Sequence, residues 1–222
     1  MQTVIKAVIF DMDGVLIDSE PLWRIAMVKG FTDIGVPFTE DDCRKTTGMR
    51  FKEVVDIWLN HFKITSISAL DFENKVTDNL TELIQNKGKA INGVIDILEF
   101  CHKKQLKIGL ATSSSVKLMK KVLNKLEIES YFDATISAEY MLYAKPHPEV
   151  YLTCANQLAV HPINCLVIED SVNGCISGKA AQMKVIAVPD VDHNKDERFG
   201  IADYKYSNMH QALEGIKQII DK

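Results

Sequence analysis

Short, almost continuous apolar runs constrain the fold of this 222-residue chain more than any other feature of its sequence. Four of them are rich in β-branched side chains. These four span residues 4–10, 107–111, 165–168 and 184–188. A strand that is covered on both faces has this pattern, because neither set of its alternating side chains meets water. The runs therefore predict buried parallel strands, and residues 134–137 and 202–206 are weaker strand candidates.

Segments with helical periodicity lie between these runs. Val94, Ile97, Leu98 and Cys101 fall on one helical face, and residues 116–126 repeat the pattern. Strands that alternate with helices are typical of an α/β fold. We therefore predict a Rossmann-like, doubly wound parallel sheet.

Residues 22–86 interrupt this alternation. The segment contains amphipathic helical patterns, for example at 51–62 and 72–83, and no clear strand pattern. A helical insertion after the first strand explains the interruption. We therefore predict two domains. They are an α/β core formed by residues 1–16 and 87–222, and an inserted α-helical cap domain formed by residues 17–86.

The composition excludes several classes of partner. The formal net charge is −4, so no overall positive field recruits nucleic acid or an anionic membrane. The chain has no run of about 18 apolar residues, so we predict no membrane span. The five cysteines include no CxxC pair, which favours reduced, buried thiols over disulfides or a zinc site. Without a signal-peptide pattern, an apolar tail or a coiled-coil seam, we expect a cytoplasmic monomer.

Polar side chains follow three of the predicted strands at the point where each strand ends. Asp11 and Asp13 follow the first, Thr112 and Ser113 the second, and Glu169 and Asp170 the third. In an open parallel sheet, ligands bind at the carboxyl ends of the strands. We therefore expect these side chains to share one edge, with Lys145 approaching it from just before a predicted helix.

Acidic groups gathered at one edge repel one another unless a cation neutralises them. Carboxylate and carbonyl oxygens are the ligands that Mg²⁺ prefers, and the ion often bridges to substrate phosphate. Asp11, the Asp13 carbonyl and Asp170 are therefore the predicted magnesium site. Lys145 would add a positive charge near a phosphoryl group, and Thr112 would hold the phosphoryl oxygens.

A carboxylate in such a site can also attack phosphorus. We predict that Asp11 is the nucleophile and forms an aspartyl phosphate, which splits one difficult displacement into two easier ones. Asp13 would reach back through Gly14 to protonate the leaving alkoxide and later to deprotonate the hydrolytic water. The predicted substrate is a small phosphorylated metabolite.

Helix capping competes with some of these assignments, because Asp, Ser and Thr cap helices well. Thr112, Ser113 or Ser114 could cap the helix that follows the second strand. Asp170 or Ser171 could cap the helix that follows the third. The occurrence of all the motifs together, each at a strand end or a helix start, favours the catalytic interpretation.

Four sequence motifs carry a resemblance to a known family, namely DMDG, the hydroxyl residue after the second strand, KP and ED. Through them the chain resembles the haloacid dehalogenase superfamily over nearly its whole length. The helical insertion is similar to that family's cap. The resemblance implies the roles given above for Asp11, Asp13, Thr112 and Lys145. It also implies that Asp170 and Glu169 together complete the magnesium site, with Glu169 the more distant of the two from the ion.

A narrower resemblance is to bacterial sugar-phosphate phosphatases, including those acting on 2-deoxyglucose 6-phosphate or hexitol phosphates, and to β-phosphoglucomutase. The segments GVLIDSE (14–20) and TTGMR (46–50) and Trp58 carry it. Glu20 and Arg50 at the predicted cap are candidate substrate contacts, as is Ser113 in the core. An exposed salt bridge is the alternative for Glu20 and Arg50, and we expect Trp58 in the cap core.

Other functions stay open. The β-phosphoglucomutases that the chain resembles place a histidine in the first cap helix where this chain has Trp23, which favours hydrolysis over a phosphomutase reaction. A phosphonatase needs a cap lysine, and Lys29 and Lys52 stand in no matching context. Dehalogenases lack the second acid, Asp13. A phosphorylation-dependent regulatory module would share the acidic groups, but it would have neither the DxDG spacing nor the cap.

Overall fold

The fold was examined in a computed structural model, which describes residues 4–46, 49–191 and 193–220. The strands are β1 (Ala7–Phe10), β2 (Lys107–Thr112), β3 (Ala134–Ser137), β4 (Cys165–Glu169), β5 (Lys184–Ala187) and β6 (Tyr204–Lys205). The α-helices are α1 (Glu20–Thr32), α2 (Glu40–Arg44), α3 (Phe51–His61), α4 (Ala69–Lys87), α5 (Val94–Lys103), α6 (Val116–Leu126), α7 (Glu149–Gln157), α8 (Val172–Ala180) and α9 (Met209–Ile220). Short 3₁₀ turns occur at Glu129–Tyr131, Pro162–Asn164 and Glu197–Ile201.

The strands form one parallel sheet in the order β3-β2-β1-β4-β5-β6. The chain fills the sheet on one side of β1 with β2 and β3, and then crosses to fill the other side. Phe10 at the end of β1 pairs with Leu110 of β2 and with Ile168 of β4. The strand order therefore reverses at β1, and such a switch point opens a crevice at the carboxyl ends of the strands.

Helices cover both faces of the sheet. Ala7 and Ile9 point into an apolar cluster that includes Tyr151 of α7 and Cys175 of α8. Val8 and Phe10 point into a second cluster that α5, α6 and α9 cover. Every side chain of β1 is therefore buried, as its continuous apolar sequence requires. The predicted Rossmann-like, doubly wound core is confirmed.

The inserted segment, from the turn after β1 to Lys87, contains the four helices α1 to α4 joined by turns and loops, and no strand is assigned among its described residues. These helices enclose an aromatic cluster in which the Phe31 and Phe38 ring centroids lie 4.2 Å apart, and Trp58 packs edge-on against Phe38 at 5.1 Å. Trp58 is buried, as expected for the core of the cap. The inserted helical cap is thus present, whereas the domain boundaries at residues 16/17 and 86/87 stay a prediction.

Some element ends differ from the sequence-based prediction. β1 begins at Ala7 rather than at residue 4, where Val4 is 64% exposed. Helix α4 begins before residue 72, because the Ser68 hydroxyl caps it by accepting a hydrogen bond from Asp71 N. Ser115 caps α6, so the capping role that we considered for Thr112, Ser113 and Ser114 was wrong.

The cysteines follow the prediction, since all five are buried and free. Burial raises the pKa of Cys154 to about 12, which keeps that thiol protonated and unreactive. In the part of the chain that the structure describes, no helix is long and apolar enough to cross a membrane.

Gly109 provides a test of the packing between β2 and α7. A Cβ at this position would lie 2.5 Å from Cys154 Sγ and 3.0 Å from Leu158 Cδ1. Because both partners are buried, we expect Gly109→Ala to lower the free energy of unfolding by about 1–3 kcal/mol. A Cβ at Gly200 would meet nothing within 4 Å. Gly200→Ala is therefore the matched control, and urea unfolding of both variants measures the difference. Equal stability of the two variants would contradict this packing.

Candidate active site

The turn after β1 presents two carboxylates to the crevice. Asp11 N donates to Ile168 O at 3.0 Å, which continues the sheet one residue beyond β1. Gly14 then adopts φ = +74°, and a Cβ there would lie 2.0 Å from Asp170 Oδ2. Only glycine fits this position, because the backbone is left-handed and the Asp170 carboxylate occupies the space. Gly14 therefore brings the DMDG turn and Asp170 together.

Asp13 accepts three hydrogen bonds from side chains. Ser19 Oγ and Trp23 Nε1 donate to its Oδ1 at 2.6 Å and 3.1 Å, and Ser114 Oγ donates to its Oδ2 at 2.7 Å. The indole N–H can only donate, so it holds this carboxyl group as an acceptor. The Trp23 contact was not foreseen. Its only signal in the sequence was its position in the first cap helix.

Lys145 lies at the centre of the site and is buried. Its ammonium group donates to Asp11 Oδ1 at 2.6 Å, Glu169 Oε1 at 2.7 Å and Ala111 O at 3.0 Å. All three of its protons are therefore directed at protein acceptors. Burial by itself lowers the pKa of Lys145, but the charges of Asp11 and Glu169 outweigh it and raise that pKa above its usual value.

Glu169 is fully buried behind this cluster. Tyr151 Oη donates to its Oε1 at 2.7 Å, while the Ser171 hydroxyl and two backbone N–H groups donate to Oε2. Burial opposes ionisation of Glu169, but the charge and hydrogen bond of Lys145 outweigh it and lower the pKa of Glu169. Tyr151 was missed by sequence reasoning, because an aromatic residue within a helix is indistinguishable from ordinary core.

The acidic groups fit a hard divalent cation. Carboxylate oxygens of Asp11, Glu169 and Asp170 lie within 4.8 Å of one another. Burial raises the pKa of Asp11 to about 7 although Lys145 opposes the shift, and burial with the charges of Glu169 and Asp11 raises the pKa of Asp170 well above its usual value. One lysine does not balance these acids. Because Glu169 is saturated by protein donors, Asp11 and Asp170 are the side chains free to bind a cation.

Thr112 and Ser113 end β2 beside these carboxylates. Thr112 is buried, and its Oγ1 accepts from Ser114 N at 3.0 Å. Ser113 Oγ is buried and has no hydrogen-bond partner within the described residues. An unpartnered buried hydroxyl is costly unless a ligand completes it. Ser113 is therefore available to an anion in the crevice.

A cavity of about 910 Å³, including its open mouth, joins this cluster to the cap. Its core side is formed by polar groups at the strand ends, namely Asp11, Asp13, Thr112, Ser113, Ser114, Lys145, Asp170 and Ser171. Its cap side is mainly apolar and includes Trp23, Met27, Met49, Phe51 and Val54. The two aromatic rings, those of Trp23 and Phe51, have centroids 4.9 Å apart. The cavity therefore has one highly charged end and one largely apolar end.

Glu20 lies at the cap side of the cavity. Arg24 Nη1 donates to its Oε1 at 3.0 Å. Asp190 and His193 of the core lie nearby, and the side-chain O or N atoms of Glu20, Asp190 and His193 that could bind a metal ion are within 4.8 Å of one another. Burial and a hydrogen bond with Asp190 raise the pKa of Glu20 to about 7. Glu20 is therefore both a cavity residue and a contact between α1 and the loop after β5.

Arg50 points away from the cavity in this structure. Its Nη1 donates to Met141 O at 2.9 Å, its Nη2 donates to Glu53 Oε1 at 3.0 Å, and Arg50 is not among the cavity-lining residues. Its role as a substrate contact stays a prediction. Within TTGMR, Thr46 and Met49 line the cavity, whereas Thr47 and Gly48 lie outside the described residues.

The profile of the haloacid dehalogenase-like hydrolases matches residues 8–188, which includes every core motif described above. The chain belongs to this family. The resemblance drawn from the sequence motifs is thereby confirmed, as is the prediction of a phosphoric monoester hydrolase. Because the match begins in β1 and ends just after β5, it covers the cap as well as the site.

Three relatives show what this hydrolase is similar to. It is 39% identical over 206 residues to hexitol phosphatase B of Escherichia coli (strain K12), covering 92% of this chain and 93% of that protein. It is 35% identical over 181 residues to a phosphorylated carbohydrates phosphatase of Thermotoga maritima, covering 82% and 83%. A crystal structure of a putative β-phosphoglucomutase from the same organism superposes with a TM-score of 0.78 at 31% identity, covering 96% and 99%.

Tyr151 provides a test of the buried cluster in this hydrolase. Tyr151→Phe removes one donor from the ionised Glu169, so we expect the free energy of unfolding to fall by about 1.5–3 kcal/mol. Tyr140 is 87% exposed, and Tyr140→Phe is the matched control, expected to change stability by less than about 0.5 kcal/mol. Thermal or urea unfolding measures both. A Tyr151→Phe variant as stable as its control would contradict the assigned hydrogen bond.

Proposed function

We propose that this hydrolase is a magnesium-dependent phosphatase that hydrolyses monophosphates of small sugars or polyols through an aspartyl phosphate. The observation that carries the proposal is the Asp11 carboxylate, which Lys145 orients at 2.6 Å beside Asp170, at the charged end of a cavity that the cap covers. A nucleophile for phosphorus needs this fixed orientation and a local positive charge.

In the first step, an Asp11 carboxylate oxygen attacks phosphorus, and the bond between phosphorus and the ester oxygen breaks. Asp13 transfers a proton to the departing alkoxide, so the product leaves as a neutral alcohol. In the second step, Asp13 takes a proton from water as the water oxygen attacks the aspartyl phosphate. The P–O bond to Asp11 breaks, which releases inorganic phosphate and restores the carboxylate.

The groups around Asp11 suit the transferred phosphoryl group. Ser113 Oγ has no partner within the described residues, and Thr112 lies beside it at the end of β2, so both hydroxyl groups are assigned to phosphoryl oxygens. Lys145 would balance part of the negative charge. These positioned donors would stabilise the transition state more than the ground state.

Asp11, the Asp13 carbonyl and Asp170 are the groups that would hold Mg²⁺. The bound ion would neutralise the carboxylates and the phosphoryl oxygens together. Glu169 would support this site without binding the ion itself, since its own oxygens already accept hydrogen bonds from Lys145, Tyr151 and the turn after β4. The excess of acids over lysine in the described site supports this assignment.

The relatives support the class of substrate. Two of them are named for hexitols and for phosphorylated carbohydrates, and their similarity covers most of each chain. The described cavity has a polar end and a cap side with the aromatic pair Trp23–Phe51. Aromatic rings accept the C–H faces of sugars and polyols, while their hydroxyl groups reach polar neighbours.

A phosphomutase is the second candidate, because a similar solved structure is titled a putative β-phosphoglucomutase. Trp23 argues against it. Its indole N–H donates to Asp13. The indole ring has no basic nitrogen that could accept and transfer a proton, so Trp23 cannot take the place of the histidine found at this position in the mutases. Release of phosphate therefore remains the favoured outcome.

Phosphate release from a panel of sugar, polyol and small-acid phosphates tests the reaction class. We expect release with Mg²⁺, its loss in EDTA, and its loss in Asp11→Asn, because that change removes the nucleophile and a metal ligand together. Quantitative conversion between sugar-phosphate isomers, without free phosphate, would replace the phosphatase assignment with a mutase.

Asp13→Asn tests the acid/base assignment separately. We expect kcat to fall by about 10²–10⁴-fold, because proton transfer is lost. Binding of inorganic phosphate, measured by calorimetry with Mg²⁺, should persist. Asp41 pairs with Arg44 on an exposed cap surface, so Asp41→Asn is a control with the same charge change and should keep wild-type activity. Near-normal kcat in Asp13→Asn would rule out this role.

A further inference from the structure

The cavity contains few cations, and each of them already has a carboxylate partner. Among the described residues that line it, only Lys145 and Arg24 are cationic. Lys145 directs its three protons at Asp11, Glu169 and Ala111 O. Arg24 donates to Glu20 at 3.0 Å, and its Nε lies 3.8 Å from Glu40 Oε2. Lys145 and Mg²⁺ would balance the charge of the phosphoryl group. Arg24 is then the cation left for the cap side of the described cavity.

We propose that the Glu20–Arg24 pair is a charge filter, which admits phosphate monoesters whose remaining part is neutral and hydroxylated and excludes those that carry a second anionic group. The proposal rests on the proposed phosphatase function and concerns the specificity of the same cavity. It assigns Arg24, a residue that the sequence motifs did not single out, a role in substrate selection.

The exclusion follows from the cost of placing a second charge in this cavity. A carboxylate or second phosphate at the cap end would lose water and would meet Glu20 beside Arg24. Asp190 does not line the cavity, but its carboxylate lies next to Glu20 and adds negative charge there. An anion buried without a cation of its own is strongly disfavoured, and like charges placed together add to the penalty. The apolar residues Trp23, Phe51 and Met27 provide no compensating hydrogen bond.

Admission of neutral polyols follows from the same groups. A hydroxyl group both donates and accepts, so it can donate to the Glu20 carboxylate and accept from Arg24 without leaving either charge unpaired. The carbon chain would then lie against the Trp23–Phe51 pair, whose centroids are 4.9 Å apart. Discrimination of this kind uses repulsion of the wrong ligand as well as attraction of the right one.

The small number of cations in the cavity also disfavours the mutase alternative. A phosphomutase must hold a sugar bisphosphate, and it therefore needs a cation for each phosphate group. Arg50 of the cap does not line the cavity, and in this structure it is bound to Met141 O and Glu53. Among the described cap residues that line the cavity, Arg24 is the one cation and it is paired with Glu20, which favours a monophosphate.

Two ligands of equal length test the filter. Glucitol 6-phosphate and 6-phosphogluconate carry the same phosphate on the same six-carbon chain, and they differ at C1, which is a hydroxymethyl group in one and a carboxylate in the other. The ratio of their kcat/KM values is measured for the wild type, Glu20→Gln, Glu20→Gln/Arg24→Gln and the exposed-pair control Asp41→Asn. The assays are run at about pH 8, above the pKa of Glu20, so that the substitution removes a charge.

We expect the wild type and Asp41→Asn to favour the hexitol phosphate by about 100-fold. Glu20→Gln removes the nearer carboxylate partner of Arg24 and leaves the more distant Glu40, so it should lower that ratio by about 10-fold, chiefly through a lower KM for 6-phosphogluconate. Removing Arg24 as well should restore the preference for the hexitol phosphate. A ratio near one in the wild type, or an unchanged ratio in Glu20→Gln, would overturn the filter.

Binding of the two ligands to Asp13→Asn, in which phosphate binding with Mg²⁺ is expected to persist, is measured by calorimetry and separates this inference from the proposed reaction. Hydrolysis of both ligands at equal rates would refute the filter and leave the phosphatase assignment intact. Absence of hydrolysis with a retained binding preference for the hexitol phosphate would refute the reaction and support the filter. Equal binding of both ligands would overturn the filter whatever the turnover.

Discussion

The buried ammonium group of Lys145 is the interaction on which the rest of the site depends. It joins Asp11 after β1, Glu169 at the end of β4 and the Ala111 carbonyl of β2, so it connects the three central strands. A buried charge cluster is tolerated only when every member has its partners, and loss of one leaves the others uncompensated. Tyr151 completes the cluster by donating to Glu169. The proposed nucleophile, Asp11, is therefore held by contacts to residues of the neighbouring strands.

The cap is tied to the same cluster through the proposed acid/base. Asp13 belongs to the turn after β1, yet it accepts hydrogen bonds from Ser19 and Trp23 at the start of the cap and from Ser114 of the core. The chemistry that we propose lies in core residues, and the substrate selection that we propose lies in cap residues. Because one cavity contains both, the position of α1 would link binding to proton transfer.

The sequence by itself determined the sheet and the order of its motifs. Continuous apolar runs predicted the buried strands, and the polar residues that follow them predicted which side chains would meet, because parallel strands end at one edge. Asp11, Asp13, Lys145 and Asp170 do converge there, and the helical insertion was visible as a break in the alternation. These features were predictable because each depends on local periodicity or on a short motif, which a single segment contains.

Only the tertiary structure decided the partners of those groups. Neither the donation of Tyr151 to Glu169 nor that of Trp23 to Asp13 could be read from a helical pattern, since a core aromatic residue and a hydrogen-bonded one have the same spacing. The turning of Arg50 toward Met141 and the pairing of Arg24 with Glu20 depend likewise on how the cap packs on the core. The physical reason is that charge neutralisation and burial are properties of groups brought together from distant parts of the chain, and a linear sequence specifies them only after it folds.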